Sequence, residues 1–284
     1  MYPFIISADT GADLPESYCK EHGVPILPLP VTIDGVVYET LEVREFYQNL
    51  RNGALPTTSA ANLEDTMELF RSILSQGQDL LHIAFSSGLS SSADTAFLAA
   101  SQIREEFPER TIHVVDSLCA SLGHGLLVHK AVKARSQGMS LEDTANYIES
   151  IKGNIVHNFT VDDLNHLHRG GRVSKATAVV GSVLGIKPVL HVDDLGHLTS
   201  VGKARGRKAS IQALVDRMAE QIQGFDNPEV FISHGDCQAD AELLRDMVEK
   251  RFGISDIMVG YIGPTIGTHS GPGTLALFFL GSPR

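Results

Sequence analysis

Five serines fall within seven residues at Ser86-Ser87-Gly88-Leu89-Ser90-Ser91-Ser92. The apolar run Leu80–Phe85 before them has the length of a buried strand. After them Leu89, Ala93, Ala96, Phe97, Ala100 and Ile103 recur at helical spacing. A strand, a Gly/Ser turn and a helix N-terminus together make an anion site. Free backbone N–H groups and the positive end of the helix dipole face the bound group, and the hydroxyls add donors. Ser91 and Asp94 have the spacing of a capping box. The plainer alternative is a βα turn whose serines serve solubility.

Other chemistries are available to the same residues. Gly88-Leu89-Ser90-Ser91-Ser92 approaches the Gly-x-Ser-x-Gly nucleophile elbow, with Ser92 where the last glycine belongs. A serine-dependent lipid or ester hydrolase using Ser90 would also need a histidine beside it, and His269 or His234 are available. Asp9-Thr10-Gly11 matches half of an aspartic protease. That chemistry needs a second carboxylate in a matching motif, and the chain has none. The twelve histidines make no compact metal-ligand spacing. His269 stands apart, because four glycines and two prolines crowd Gly263–Gly273 around it. Such a loop takes an unusual path, either past a ligand or through a tight interdomain turn.

These groups need a scaffold. Phe4–Ala8 reads as a strand, Pro15–His22 as a helix, and Val24–Leu29 as an apolar segment. Val31–Ile33 and Val36–Tyr38 flank Asp34-Gly35, a hairpin signal. Helices follow at Glu42–Leu50 and, capped by Asn62, from Leu63 to Gly77. After the serine turn and its helix come a strand at Thr111–Val115, a helix at Ser121–Ser136 and another opened by Ser140. Alternating strands and helices predict a parallel, doubly wound sheet. Lys152-Gly153-Asn154 is the predicted boundary, dividing residues 1–153 from 154–284 as two α/β domains with a ligand cleft between them. The second half reads as strand Ile155–Val161, a short helix at Asp162–His168 and a small-residue helix at Ser174–Leu184. A hairpin, Ile186–Val192 with His197–Val201, comes next. A long helix to Ile222, a strand Val230–Ser233, a helix Ala239–Lys250 and strands Ile257–Tyr261 and Leu275–Leu280 complete a mixed sheet.

With 284 residues, 43% of them hydrophobic, the chain can bury a large core. No apolar run approaches the roughly 20 residues of a membrane span. Met1-Tyr2-Pro3-Phe4 lacks the start of a signal peptide, which predicts a cytoplasmic protein. Three scattered cysteines form neither a disulfide framework nor a zinc pattern. A net charge of −11 argues against general nucleic-acid binding. No Walker motif or kinase-type glycine loop occurs, so no ATP site or other cofactor is expected.

Seven segments recur in the order of one family. They are Pro56-Thr57-Thr58-Ser59, Ser86-Ser87-Gly88-Leu89-Ser90, Asp116-Ser117, Leu167-His168-Arg169-Gly170-Gly171-Arg172-Val173, Gly185-Ile186-Lys187-Pro188-Val189-Leu190, Lys203-Ala204-Arg205-Gly206 and Gly267-Thr268-His269-Ser270-Gly271-Pro272-Gly273. Together they resemble the DegV family across nearly the whole chain. The resemblance implies a long-chain fatty acid held in a tunnel between two α/β domains. It also implies that the chain is not itself an enzyme, and that it presents the carboxylate to a separate, ATP-binding fatty acid kinase subunit. Carried over residue by residue, it implies carboxylate contacts from Thr58, Ser90 and His269, with Ser59, Thr268 and the Gly88–Leu89 backbone nearby. His269 would donate a hydrogen bond or, protonated, neutralise the charge. Arg172 and Arg205 would face the partner or its phosphate, within a basic patch that includes Arg169, Lys175, Lys203, Arg207 and Lys208. Two departures stand out. The family's usual Thr-Ser-Gln-Pro-Ser is Thr58-Ser59-Ala60-Ala61-Asn62, and its Gly-Thr-Tyr is Ser91-Ser92-Ala93, which widens the pocket or reshapes the helix start.

Overall fold

The computed structural model describes residues 3–173 and 185–282. The helix expected at Ser174–Leu184 lies outside them, as does Lys175. Two large sheets and one small one organise the chain. The first sheet joins β1 (Ile5–Asp9), β2 (Ile26–Leu27), β6 (Leu80–Ala84) and β7 (Ile112–Asp116) in the order β2-β1-β6-β7. All its pairings are parallel. Its strands are continuous apolar runs because both faces are covered. Helices α3 (Leu63–Leu74) and α4 (Ser92–Glu106) pack one face through Phe70, Ala96, Ala100 and Ile103. Asn62 caps α3 as its sequence predicts, accepting from the N–H groups of Glu64 and Asp65.

The small sheet is the predicted hairpin, β3 (Val31–Ile33) and β4 (Val36–Tyr38), joined by β5 (Thr57–Thr58). Asp34 and Gly35 both have positive φ, 50° and 81°, the turn that matches strand twist. Pairing of Val31 with Thr58 fixes where Thr58 sits. Helices α1 (Glu16–His22) and α2 (Val43–Arg51) complete this region, and α2 seats Phe46 and Tyr47 against β3.

A 3-10 turn at Lys152–Asn154 leads from α6 (Leu141–Ile151) into the second large sheet. This sheet holds β8 (Ile155–Thr160), β9 (Ile186–Val192), β10 (Leu198–Arg205), β11 (Glu229–His234), β12 (Asp256–Tyr261) and β13 (Leu275–Leu280). Its order is β10-β9-β8-β13-β11-β12, antiparallel except for β11 with β12. The expected hairpin runs four residues further than its apolar pattern, because a bulge between Ser200 and Gly202 lets β10 continue to Arg205. Beyond the short α7 (Asn165–Arg169), α8 (Arg207–Gln221) and α9 (Gln238–Phe252) cover the outer face of this sheet. The inner face meets α5 (Leu122–Ser136), which touches β1 of the first sheet and β8, β11 and β13 of the second. One core cluster therefore contains Ile6 and Ile83 from one sheet, Leu126 and Leu127 from α5, and Phe159 and Phe278 from the other.

The Gly263–Gly273 stretch is not a loop throughout. Pro264–Ser270 forms α10, with proline at the first position, where a missing N–H costs nothing. Gly267 is what permits its docking. A Cβ there would come within 2.6 Å of the Phe46 ring and 2.8 Å of the Tyr47 hydroxyl. Packing against α2 thus outweighs the poor helix propensity of glycine.

Candidate functional site

In an open parallel sheet, ligands bind beyond the carboxyl ends of the strands, where the strand order reverses. Here that point lies between β1 and β6, and the serine turn leaves it. Asp9, closing β1, accepts the N–H groups of Phe85 at 2.7 Å and Gly11 at 2.9 Å. Asp116, closing β7, accepts the N–H groups of Ser87 and Leu118, each at 3.1 Å. The Ser86 hydroxyl donates to Gly196 O on the β9–β10 hairpin. Gly88 must be glycine, because a Cβ would lie 2.5 Å from Leu195 O of that hairpin. The turn is thus fixed from three directions before any ligand arrives.

Part of its backbone is engaged within the turn itself. The Gly88 N–H donates to Ser86 Oγ, and those of Leu89 and Ser90 donate to Ser86 O. The Ser91 capping box is also unmade. Ser91 takes a near-helical conformation, φ −77° and ψ 8°, and its side chain accepts no capping bond. Ser90 Oγ instead accepts the Ser92 N–H at 3.3 Å.

Across the cavity, His269 sits in the last turn of α10, and its Nε2 lies 2.7 Å from Thr58 Oγ1. Gly170, ending α7, presses on the other side of the ring, where a Cβ would fall 2.1 Å from Nδ1. That nitrogen is buried and has no hydrogen-bond partner among the described residues. Burial, and then the charges of Arg172 and Arg169, lower the imidazole pKa to about 4. These causes favour the neutral imidazole at pH 7, and a carboxylate beside it would act in the opposite direction. Arg172 is half-buried, donates to Leu89 O at 3.1 Å and also bonds Gly170 O. Burial pulls its own pKa down.

Thr58, Ser59, Ser90, Ser91, Arg172 and His269 line one cavity of about 170 Å³. Its remaining walls are largely apolar, with Leu29, Phe85, Phe159, Val192, Ile266 and Phe278 among them. Two predicted residues stay out of it. Thr268 is buried within α10, donating to Pro264 O at 2.9 Å, and Gly88 faces the backbone of Leu195 and Gly196 instead of lining it. Arg205 is exposed at the end of β10 and does not line the cavity either. The basic patch is smaller than its sequence suggests, since Arg207 pairs with Asp240 and Asp162. Sequence reasoning overlooked Ser92, whose buried hydroxyl accepts the Ala61 N–H at 3.0 Å. It also overlooked Asp9 as a turn anchor. A strand-terminal aspartate before a Gly/Ser turn was the available signal.

Among the described residues no general base is bonded to Ser90. Its hydroxyl partners are Ser92 Oγ at 2.9 Å and the Ser92 N–H, while His269 Nε2 is engaged by Thr58. No group of three metal-ligating side chains occurs among the described residues, and no helix there is long and apolar enough to cross a membrane.

Comparison with known proteins decides the family. The DegV family model matches residues 3–282. The chain belongs to the DegV family. A DegV domain-containing protein of Clostridium perfringens is 39% identical over 289 residues, covering 100% of this chain and 99% of the relative. The structure is similar to that of a fatty-acid-binding DegV family protein from Thermus thermophilus. That match has a TM-score of 0.87 and 30% identity, and covers 99% of this chain and 100% of the other. A fatty-acid-binding DegV family protein from Streptococcus agalactiae matches with a TM-score of 0.86 and 28% identity over the whole of both chains. Four of the seven segments named from the sequence supply residues to one cavity, from β5, the β6–α4 turn, the segment after α7, and α10.

Proposed function

We propose that the chain binds one long-chain fatty acid, with its carboxylate among Thr58, Ser90 and His269 and its tail in the apolar part of the cavity. Residues 1–153 and 154–284 are the two units that close over it. The observation that carries this reading is the mismatch of donors and acceptors at the polar end. Hydroxyls, a neutral imidazole and a guanidinium meet there, on an otherwise apolar wall. An ionised carboxylate only accepts, so it satisfies such a site. Burying about 15 methylenes at about 0.8 kcal/mol each contributes roughly 12 kcal/mol before association costs, so the tail sets affinity and the polar end sets direction. The fatty-acid-binding relatives from T. thermophilus and S. agalactiae support this. We further propose that the protein presents the carboxylate to a separate kinase subunit for phosphorylation, in the cytoplasm, and performs no chemistry alone.

Mass spectrometry of an organic extract of the purified protein tests the reading. One fatty acid per chain is expected. A well-folded protein that carries none and takes up none on incubation overturns it.

A further inference from the structure

We propose that Ser92 is a positioning residue for the ligand's head group, because it sets the direction in which Ser90 gives its hydroxyl proton. The proposal rests on the fatty-acid reading above. Ser92 opens α4 and is only 2% exposed. Its Oγ accepts the Ala61 N–H at 3.0 Å and lies 2.9 Å from Ser90 Oγ. The Ser92 N–H, in turn, donates to Ser90 Oγ at 3.3 Å.

Each hydroxyl has one proton and two lone pairs, and a backbone N–H can only donate. Two arrangements satisfy the Ser90–Ser92 contact. If Ser90 donated to Ser92, both lone pairs of Ser92 Oγ would be filled, by Ala61 and by Ser90. The Ser92 proton would then be buried with no acceptor among the hydrogen bonds of the described residues, a costly state. If Ser92 donates to Ser90, every Ser92 group is satisfied. Ser90 Oγ then holds two incoming bonds from Ser92, and its own proton is left for the cavity. The chain of donation runs from Ala61 N–H through Ser92 to Ser90 and ends on whatever the cavity holds. Bonds aligned in one direction polarise one another, so the terminal Ser90 donor is strengthened toward an acceptor-only group such as a carboxylate. Ser92 also ties the segment after Thr58 to the turn bearing Ser90. Two of the head-group donors are thereby held in register.

The test uses [1-13C]palmitate on the full chain, with its affinity measured by displacement of a fluorescent fatty acid and its carboxyl resonance read by NMR. Ser92→Ala should weaken binding about fivefold, as loss of one neutral hydrogen bond implies, and should shift the carboxyl resonance. Ser92→Thr, which keeps the hydroxyl, should restore both. In a Ser90→Ala background, Ser92→Ala should weaken binding no further. A purely structural role would lower the melting temperature without moving the resonance, and that result overturns the proposal. So does equal loss with and without Ser90. If Ser92→Ala fails to fold, Ser92→Cys carries the test, since a thiol donates weakly. Reduced affinity with a shifted resonance supports the proposal, and wild-type values overturn it. Wild-type protein that takes up no palmitate overturns the fatty-acid reading and this assignment together, whereas unaltered Ser92 variants of a palmitate-binding protein overturn this assignment alone.

Discussion

Adding one methyl group at Gly170 should disable the head-group site without touching a ligand-contacting residue. Gly170 has φ −73° and ψ −9°, values that alanine adopts without strain. The unfolded chain loses freedom, a gain of about 0.4–1 kcal/mol for the folded state. The new Cβ, however, falls 2.1 Å from His269 Nδ1, where ordinary contact begins at 3.4 Å. The imidazole must therefore shift by more than an ångström, which disrupts the 2.7 Å contact between Nε2 and Thr58 Oγ1. Losing that bond costs about 0.5–1.5 kcal/mol, and overpacking costs about 1–3 kcal/mol more. A net destabilisation of about 1–3 kcal/mol is expected in urea unfolding. Fatty-acid affinity should fall further, by about 10- to 100-fold, because a bond to a charged group is lost. The decisive comparison is made in a His269→Ala background. There the methyl finds space, and Gly170→Ala should change affinity by less than twofold. Unchanged affinity for Gly170→Ala alone, or equal losses in both backgrounds, would refute the argument that Gly170 acts by holding His269 in place.

Three further outcomes are expected. The His269 pKa is about 4 when folded against 6.5 unfolded, so the unfolded chain binds more protons between those values, and stability falls as pH drops through that window. His269→Gln should reduce the slope there; His82, His129, His166 and His234, all lowered by burial, keep part of it, and Asp13, raised by burial to about 7, opposes it; an unaltered profile contradicts the neutral, buried imidazole. A fluorophosphonate probe should leave Ser90 unlabelled, since its hydroxyl has a serine partner and no base, and labelling abolished by Ser90→Ala would revive the hydrolase. Arg172→Ala should weaken fatty-acid uptake by releasing Leu89 O, whereas exposed Arg205→Ala should leave uptake intact and impair only turnover with a cognate kinase subunit; equal effects of the two on uptake would place them in one role.

The stretch from β6 to α4 was legible because its signals are local, in an apolar run, a glycine-serine turn and a helical repeat. The caps at Asn62 and Ser140 and the Asp34-Gly35 turn were legible for the same reason. Helix α10 was not, because its stability comes from Phe46 and Tyr47, more than 200 residues earlier in the chain, and its own glycines argue for a loop. Ser92 was missed because its partner is a backbone N–H on a segment that only the fold brings near. The insertion of β13 between β8 and β11 is likewise invisible in periodicity, though the unbroken apolar run Leu275–Leu280 marks a central strand.

Helix α5 is fastened to both large sheets. His124 Nε2 donates to Ile83 O in the first sheet at 2.8 Å, and Lys130 and Lys133 pair with the buried Glu229 of the second. Parting the sheets like the halves of a shell would strip water-excluding apolar cover from both and strand a buried carboxylate, a loss of several kcal/mol. A spine fastened to both sheets opposes hinge motion between them. If the cavity takes a fatty acid as proposed, exchange by local displacement around its mouth is expected, and the radius of gyration should be the same for the empty and the loaded protein.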